Sequence, residues 1–251
     1  MIELHTAPTP NGFKASIALE EMALPYTVHP VDLRTGAQFH EDFLRISPNN
    51  KIPAIVDTDP ASGARGGGAG ATGAAGGTGG AGTTGGRVTV FESGAILLYL
   101  AEKTGKLLPA AGQARAATFA WMFFQAGGTG PMLGQLHHFK NYAQEKLPYA
   151  IDRYTNEGKR LYHVVDKRLS ESRYLAGDEY TIADIMNLPW LLLSKGQGIE
   201  IDEYRHVKRG IDELKARPAV ERGLAVPPRD ERPMDEKARE HLFGKTQYTR
   251  R

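Results

Sequence analysis

Apolar and polar residues alternate over Ile2–Thr6, the period of a half-buried strand. Phe13, Ile17 and Met22 then recur at near-helical spacing and predict a helix over 13–23, entered through the turn Pro8-Thr9-Pro10-Asn11-Gly12. A second strand is expected at 27–31 and a short helix at 40–46. The β-branched runs at 54–57 and 88–91 read as two strands of a hairpin, and 94–104 as a nearly all-apolar, buried helix.

From residue 113 onward the period is helical throughout. Leu161, Val164, Val165 and Leu169 share one face, as do Val207, Ile211 and Leu214. The run Gly127-Gly128-Thr129-Gly130-Pro131 is expected to break or kink a long helix from Gln113 to about Tyr142. Thr181-Ile182-Ala183-Asp184 has the form of a capping box at a helix start. The element order suits an α/β domain followed by an all-α one: a thioredoxin-like domain with a mixed four-stranded sheet over 1–105, then helices over 106–222. Residues 223–251, rich in charge and proline, read as a loosely attached tail.

Composition changes this picture in one place. Thirteen of the 26 residues over 61–86 are glycine, and most of the others are Ala, Thr or Ser. Such a stretch buries too little apolar surface to offset its ordering entropy, so it is expected to be a flexible, dispensable insert in the hairpin. It lacks the Gly-Lys-Ser/Thr ending of a phosphate-binding loop.

Charge and residue chemistry exclude more than they assign. A net charge of +2 gives no reason to expect a nucleic-acid partner. The longest apolar runs are too short to cross a membrane, and the first residues do not read as a secretory signal, so a cytoplasmic location is expected. The chain has no cysteine, which removes disulfides, thiolate metal sites and any protein thiol nucleophile. Its eight histidines form no compact metal-binding spacing, and no metal is expected.

Two motifs carry chemistry. In Ser47-Pro48-Asn49-Asn50-Lys51-Ile52-Pro53 a proline immediately precedes a strand, where a cis peptide would turn the backbone of Ile52 outward to pair with an extended, peptide-like ligand. Phe91-Glu92-Ser93-Gly94 sets an acid and a hydroxyl at a helix start, where Glu92 can accept from an α-ammonium while Ser93 and free N–H groups hold the carboxylate. Together with the turn at 8–12 and the capping box, these resemble the glutathione transferase superfamily. The wording of Ala7-Pro8-Thr9-Pro10-Asn11-Gly12, Gly130-Pro131-Met132-Leu133-Gly134-Gln135 and Pro148-Tyr149-Ala150-Ile151 is similar to the bacterial nu class, the YfcG-like disulfide-bond oxidoreductases. The resemblance covers roughly residues 1–60 and 87–222; the glycine-rich insert and the basic end of the tail depart from it.

What the resemblance implies is a glutathione-binding enzyme, with glutathione as cosubstrate. Thr9 and Asn11, at the entry of the first helix, would donate hydrogen bonds to the glutathione sulfur, in place of a catalytic Tyr, Ser or Cys. Glu92 and Ser93 would hold the γ-glutamyl end, Ile52 the cysteinyl backbone, and Gln38 and Lys51 the glycyl carboxylate. His137 and Arg153, in the helical half, would meet a second glutathione. The implied reaction is reduction of small disulfides by thiol–disulfide exchange, in a homodimer. Conjugation of glutathione to electrophiles and a non-catalytic regulatory role are the rival readings on the same fold.

Overall fold

The computed structural model describes residues 1–63, 83–84 and 86–249. Most of the glycine-rich insert therefore lies outside the described residues. The chain forms two compact units: Met1–Gly105 together with the residues from Arg222 onward, and Lys106–Glu221 between them.

In the first unit the strands are β1 (Ile2–Thr6), β2 (Tyr26–Pro30), β3 (Ala54–Asp57), β4 (Thr83–Thr84) and β5 (Arg87–Phe91), in the order β2-β1-β3-β5-β4. β1 runs parallel to β2 and antiparallel to β3, and β5 pairs antiparallel with β3 and β4. The expected four-stranded mixed sheet is present. It gains a two-residue edge strand from the end of the insert, where Thr83 and Thr84 pair with Val88 and Arg87. Helix α1 spans Pro10–Met22, three residues earlier than the apolar period suggests, because Thr9 caps it and Pro10 has the fixed φ of a first helical turn. α2 is a single turn, Glu41–Leu44, and α3 runs Ser93–Thr104. α1 and α3 pack together, with Ile17, Leu19, Ile96, Leu97 and Leu100 inaccessible to water beside Leu4 and Ile55. Asp57, at the end of β3, is fastened to α3 by the Tyr99 hydroxyl at 2.6 Å and by Lys103 at 2.8 Å.

The C-terminal stretch departs from the loose tail expected of it. Ser16 donates to the carbonyl of Gly223 at 2.7 Å, and Arg222 pairs with Glu20 at 2.6 Å. A Cβ at position 223 would lie 2.5 Å from the Ile17 Cα, so only glycine permits this backbone contact. Helix α11 (Glu236–Phe243) follows, capped by Asp235, with Ala238 buried. Charge and proline content register solubility; they miss a segment held by backbone docking and by the buried Pro227 and Ala238.

The second unit is helical. α4 (Gly112–Phe124) and α5 (Gly130–His137) are joined by a π-helical stretch, Gln125–Thr129, and a second one, His138–Tyr142, follows α5. The expected break at Gly127–Pro131 is thus a widening of a continuous helical path. A Cβ at Gly130 would meet the Gln125 side-chain nitrogen at 2.7 Å. α6 (Pro148–Glu171), α7 (Ile182–Leu191), the short α8 (Ser194–Gln197) and α9 (Arg205–Lys215) complete the unit, and the chain returns through α10 (Pro218–Leu224). Leu133, Leu161, Val165, Ile185 and Val207 are buried within it. Among the described residues no helix is long and apolar enough to cross a membrane.

The capping box of α7 is formed. The Thr181 hydroxyl accepts from Ala183 N–H at 3.2 Å, and Asp184 accepts from the Thr181 N–H at 2.9 Å. Asp184 also accepts from the Leu175 N–H at 2.8 Å, tying the preceding loop to the helix. Its burial outweighs these bonds and raises the carboxyl to about 6. Thr181→Ala should cost about 1 kcal/mol, the usual loss of an N-cap. Asp184→Ala should cost more, because it orphans two buried N–H donors, and the double variant less than the sum. Chemical denaturation of the three variants measures this; equal losses for the two single variants would mean that the Leu175 bond contributes nothing.

Candidate functional site

The site is built at the ends of β1, β3 and β5, where three turns lead into α1, β3 and α3. Thr9 is the N-cap of α1, its Oγ1 accepting from Gly12 N–H at 3.2 Å. That oxygen keeps its own proton and can donate it outward. Asn11 follows in the first turn, half-buried. The first turn presses against the end of β1: a Cβ on Gly12 would lie 2.2 Å from the Ala7 carbonyl oxygen. The helix N-terminus at Thr9–Gly12 thus offers a hydroxyl and the positive end of the helix dipole, an environment that draws a thiol toward thiolate.

Ile52-Pro53 is a cis peptide, and β3 begins at the next residue. The Ile52 side chain belongs to a small apolar cluster with Ala7, Val31, Phe43 and Ala54. Among the described residues no hydrogen bond engages its backbone N–H or C=O, which leaves both for an extended ligand. Lys51 beside it is exposed, yet partial loss of hydration lowers its ammonium below the ordinary lysine value, and its Nζ donates to the Gln247 Oε1 at 2.8 Å. Gln38 is buried on the neighbouring turn, its Nε2 donating to the His241 carbonyl at 3.4 Å.

Glu92 and Ser93 stand at the start of α3. Glu92 has φ 69° and ψ 117°, a region that side-chain-bearing residues seldom occupy, and its exposed carboxylate accepts from Asn49 at 3.3 Å. Backbone strain of this kind costs about 1–3 kcal/mol and collects at functional sites. Behind Ser93 lies a residue the sequence pattern hides. Lys14 is almost fully buried in α1, and its Nζ donates to the Ser93 Oγ at 3.4 Å. With a lone pair so occupied, the Ser93 hydroxyl is turned to donate. Lys14 sits on a helix that the apolar period alone defines, so only its charge in a buried register signals it.

In the second unit, His137 ends α5 and Arg153 lies exposed near the start of α6. These two helices pack together. The His137 ring meets Tyr142 edge-on at 5.2 Å, and burial lowers its pKa. Its Nδ1 is buried without a partner among the described residues.

One histidine cluster has no signature in sequence spacing. Parallel pairing of β1 with β2 stacks His5 on His29 at 4.7 Å, and Glu3 lies close enough for the three to share a cation. The Glu3 carboxylate is already held by both its oxygens on Arg87, at 2.9 Å each, a positive charge that opposes a metal there.

Comparison with known proteins gives this geometry a family. Residues 9–103 match the glutathione S-transferase N-terminal domain, and residues 137–218 the glutathione S-transferase C-terminal domain. The chain is 49% identical over 224 residues to the disulfide-bond oxidoreductase YfcG of Escherichia coli K12, covering 89% of this chain and 94% of that one. The chain belongs to the glutathione S-transferase family. A glutathione transferase family member from Pseudomonas fluorescens, crystallised with two glutathione bound, superposes with a TM-score of 0.75 at 41% identity, covering 89% and 92% of the two chains. A transferase from Pseudomonas putida with one glutathione disulfide per subunit gives 0.77 at 38% identity, covering 90% and 91%.

In this family member the buried Lys14 and the strained Glu92 make separable predictions. Burial lowers Lys14 from 10.5 to about 7, opposed by the charge of Glu92. Between those values the unfolded chain holds the proton and the folded chain does not, so unfolding free energy should rise with pH from about 7 toward 10. Lys14→Met should flatten that rise, read by denaturant titration across the range; an unchanged slope would place the titration elsewhere. Glu92→Gly should raise stability by about 1 kcal/mol by relieving the positive φ. A lower melting temperature in that variant would mean that the carboxylate, not the backbone, matters to the fold.

Proposed function

We propose that the protein is a glutathione-dependent disulfide-bond oxidoreductase. The observation that carries the reading is the capped N-terminus of α1 in a chain without cysteine: Thr9 has a hydroxyl proton to spare, and the sulfur must come from the ligand. Glutathione would lie extended along the edge formed by these turns. Its γ-glutamyl ammonium meets Glu92 and its carboxylate the Ser93 hydroxyl, its cysteinyl backbone pairs with Ile52, and its glycyl carboxylate reaches Lys51 and Gln38. Thr9 and Asn11 donate to the sulfur and favour the thiolate.

The thiolate attacks one sulfur of a small disulfide, forming a mixed disulfide with glutathione and releasing the other half as a thiolate. A second glutathione thiolate attacks the mixed disulfide, releasing the remaining thiol and glutathione disulfide. Two glutathiones supply both electrons; the chain supplies position and charge. We assign His137 and Arg153 to the carboxylates of the second glutathione. Support comes from the YfcG relative, which bears this activity in its name, and from the Pseudomonas fluorescens transferase with two glutathione bound. A homodimer in the reducing, glutathione-rich cytoplasm fits this reading, and light scattering checks the assembly.

Turnover of a small hydroxyalkyl disulfide should exceed turnover of an aryl halide; the reverse would make the protein a conjugating transferase, and glutathione binding without either reaction a regulator. Asn11→Ala should lower disulfide turnover about tenfold, equivalent to roughly 1.4 kcal/mol of barrier, while glutathione still binds. Wild-type rates in both Thr9→Ala and Asn11→Ala would remove these residues from the sulfur site.

A further inference from the structure

The C-terminal segment ends on the residues assigned to the glycyl end of glutathione. Lys51 Nζ donates to the Gln247 Oε1 at 2.8 Å. Gln247 in turn donates its Nε2 to the carbonyl of His241, which also accepts from Gln38 Nε2 at 3.4 Å. His241 Nδ1 bonds the Arg34 carbonyl oxygen at 2.7 Å, and its ring lies against Gly36, where a Cβ would sit 3.3 Å away. Glu240 accepts from the Thr246 N–H and hydroxyl at 3.0 and 2.9 Å, folding the last turn back so that Gln247 reaches Lys51.

The direction of the Gln247 amide matters. With its nitrogen spent on His241, it presents an oxygen to Lys51, the same acceptor that a carboxylate would present. Among the described residues no carboxylate forms an ion pair with Lys51, so a neutral acceptor occupies the place of an anion. A glycyl carboxylate arriving there would face the Gln247 oxygen, acceptor against acceptor, and would find the Gln38 donor engaged as well. Both groups assigned to one end of the ligand are thus engaged by one stretch of chain.

We propose that residues 236–248 form a displaceable cap over the glycyl end of the glutathione site, with the Gln247 amide oxygen competing with the glycyl carboxylate for Lys51. The inference rests on the glutathione reading above and adds to it an intramolecular competitor. A glycyl carboxylate takes Lys51 only when Gln247 has left it, so its apparent affinity is reduced by that fraction, whereas a ligand that makes no bond to Lys51 carries no such cost. The attachment suits such a device: it is made of hydrogen bonds at a solvent boundary, individually worth little, and its helix buries one alanine.

Isothermal titration with reduced glutathione, and with glutathione esterified at the glycyl carboxylate, tests this on the full chain. Gln247→Ala should tighten glutathione several-fold by opening the cap. Gln247→Glu, which places a true carboxylate beside Lys51, should weaken it tenfold or more. The ester, having no carboxylate to compete, should change by less than about twofold in either variant. Hydrogen exchange over 236–248 should quicken when glutathione binds. Weaker glutathione binding by Gln247→Ala would make Gln247 a ligand contact and overturn the cap. Unchanged affinity in both variants, or equal changes for ester and acid, would also overturn it. A wild-type chain that binds no glutathione would instead overturn the reading on which the cap rests.

Discussion

The first unit depends on how closely α1 can start against the end of β1. Gly12 allows that approach, since any side chain there would collide with the Ala7 carbonyl and the Thr6 hydroxyl. From this one contact the rest follows. Thr9 is placed to cap the helix, and its hydroxyl stands at the helix N-terminus. Helix α1 then runs beside α3, which brings Lys14 under Ser93. A single backbone approach sets both the sulfur end and the γ-glutamyl end of the proposed site, although the residues lie far apart in sequence.

Charge is arranged around that scaffold in a consistent sense. In the proposed site the positive end of α1 would favour a thiolate, Lys14 stands behind the hydroxyl proposed to meet a carboxylate, and Glu92 is exposed for the proposed ammonium. The costs are visible in the same residues. Lys14 gives up hydration, which lowers its ammonium well below the ordinary lysine value, and Glu92 holds a backbone conformation that glycine would adopt freely. Natural proteins accept such local conflicts at functional sites, where binding rather than stability selects the residue.

The sequence was most legible where local physics decides. The apolar runs at β1 and β3, the capping box at Thr181 and the proline before β3 report their own conformation through period, cap chemistry and a missing N–H. Less could be read where a distant partner decides. The π-helical turn at 125–129 looks like a break, because Gly and Pro signal departure from the α-helix without saying which departure, and the one at 138–142 carries no such signal at all. The stacking of His5 on His29 requires the β1–β2 register, which no spacing rule contains. Lys14 reads as one charge on an amphipathic helix until α3 is laid beside it.

The C-terminal segment shows why composition misleads about attachment. Its charges do pair: Arg34 with Asp230 at 3.6 Å, and Arg232 with Asp32 at 3.0 Å. Such pairs at the surface contribute little, since each exchanges hydration for a screened contact. What anchors the segment is the backbone of Gly223 against α1, invisible in any count of charge or proline. The hold therefore weakens along the chain, from a close-packed glycine, through ion pairs and the His241 bond to the Arg34 carbonyl, to the Gln247 amide on Lys51. A segment fixed firmly at its root and lightly at its tip can yield the tip to a ligand without loosening the fold beneath it.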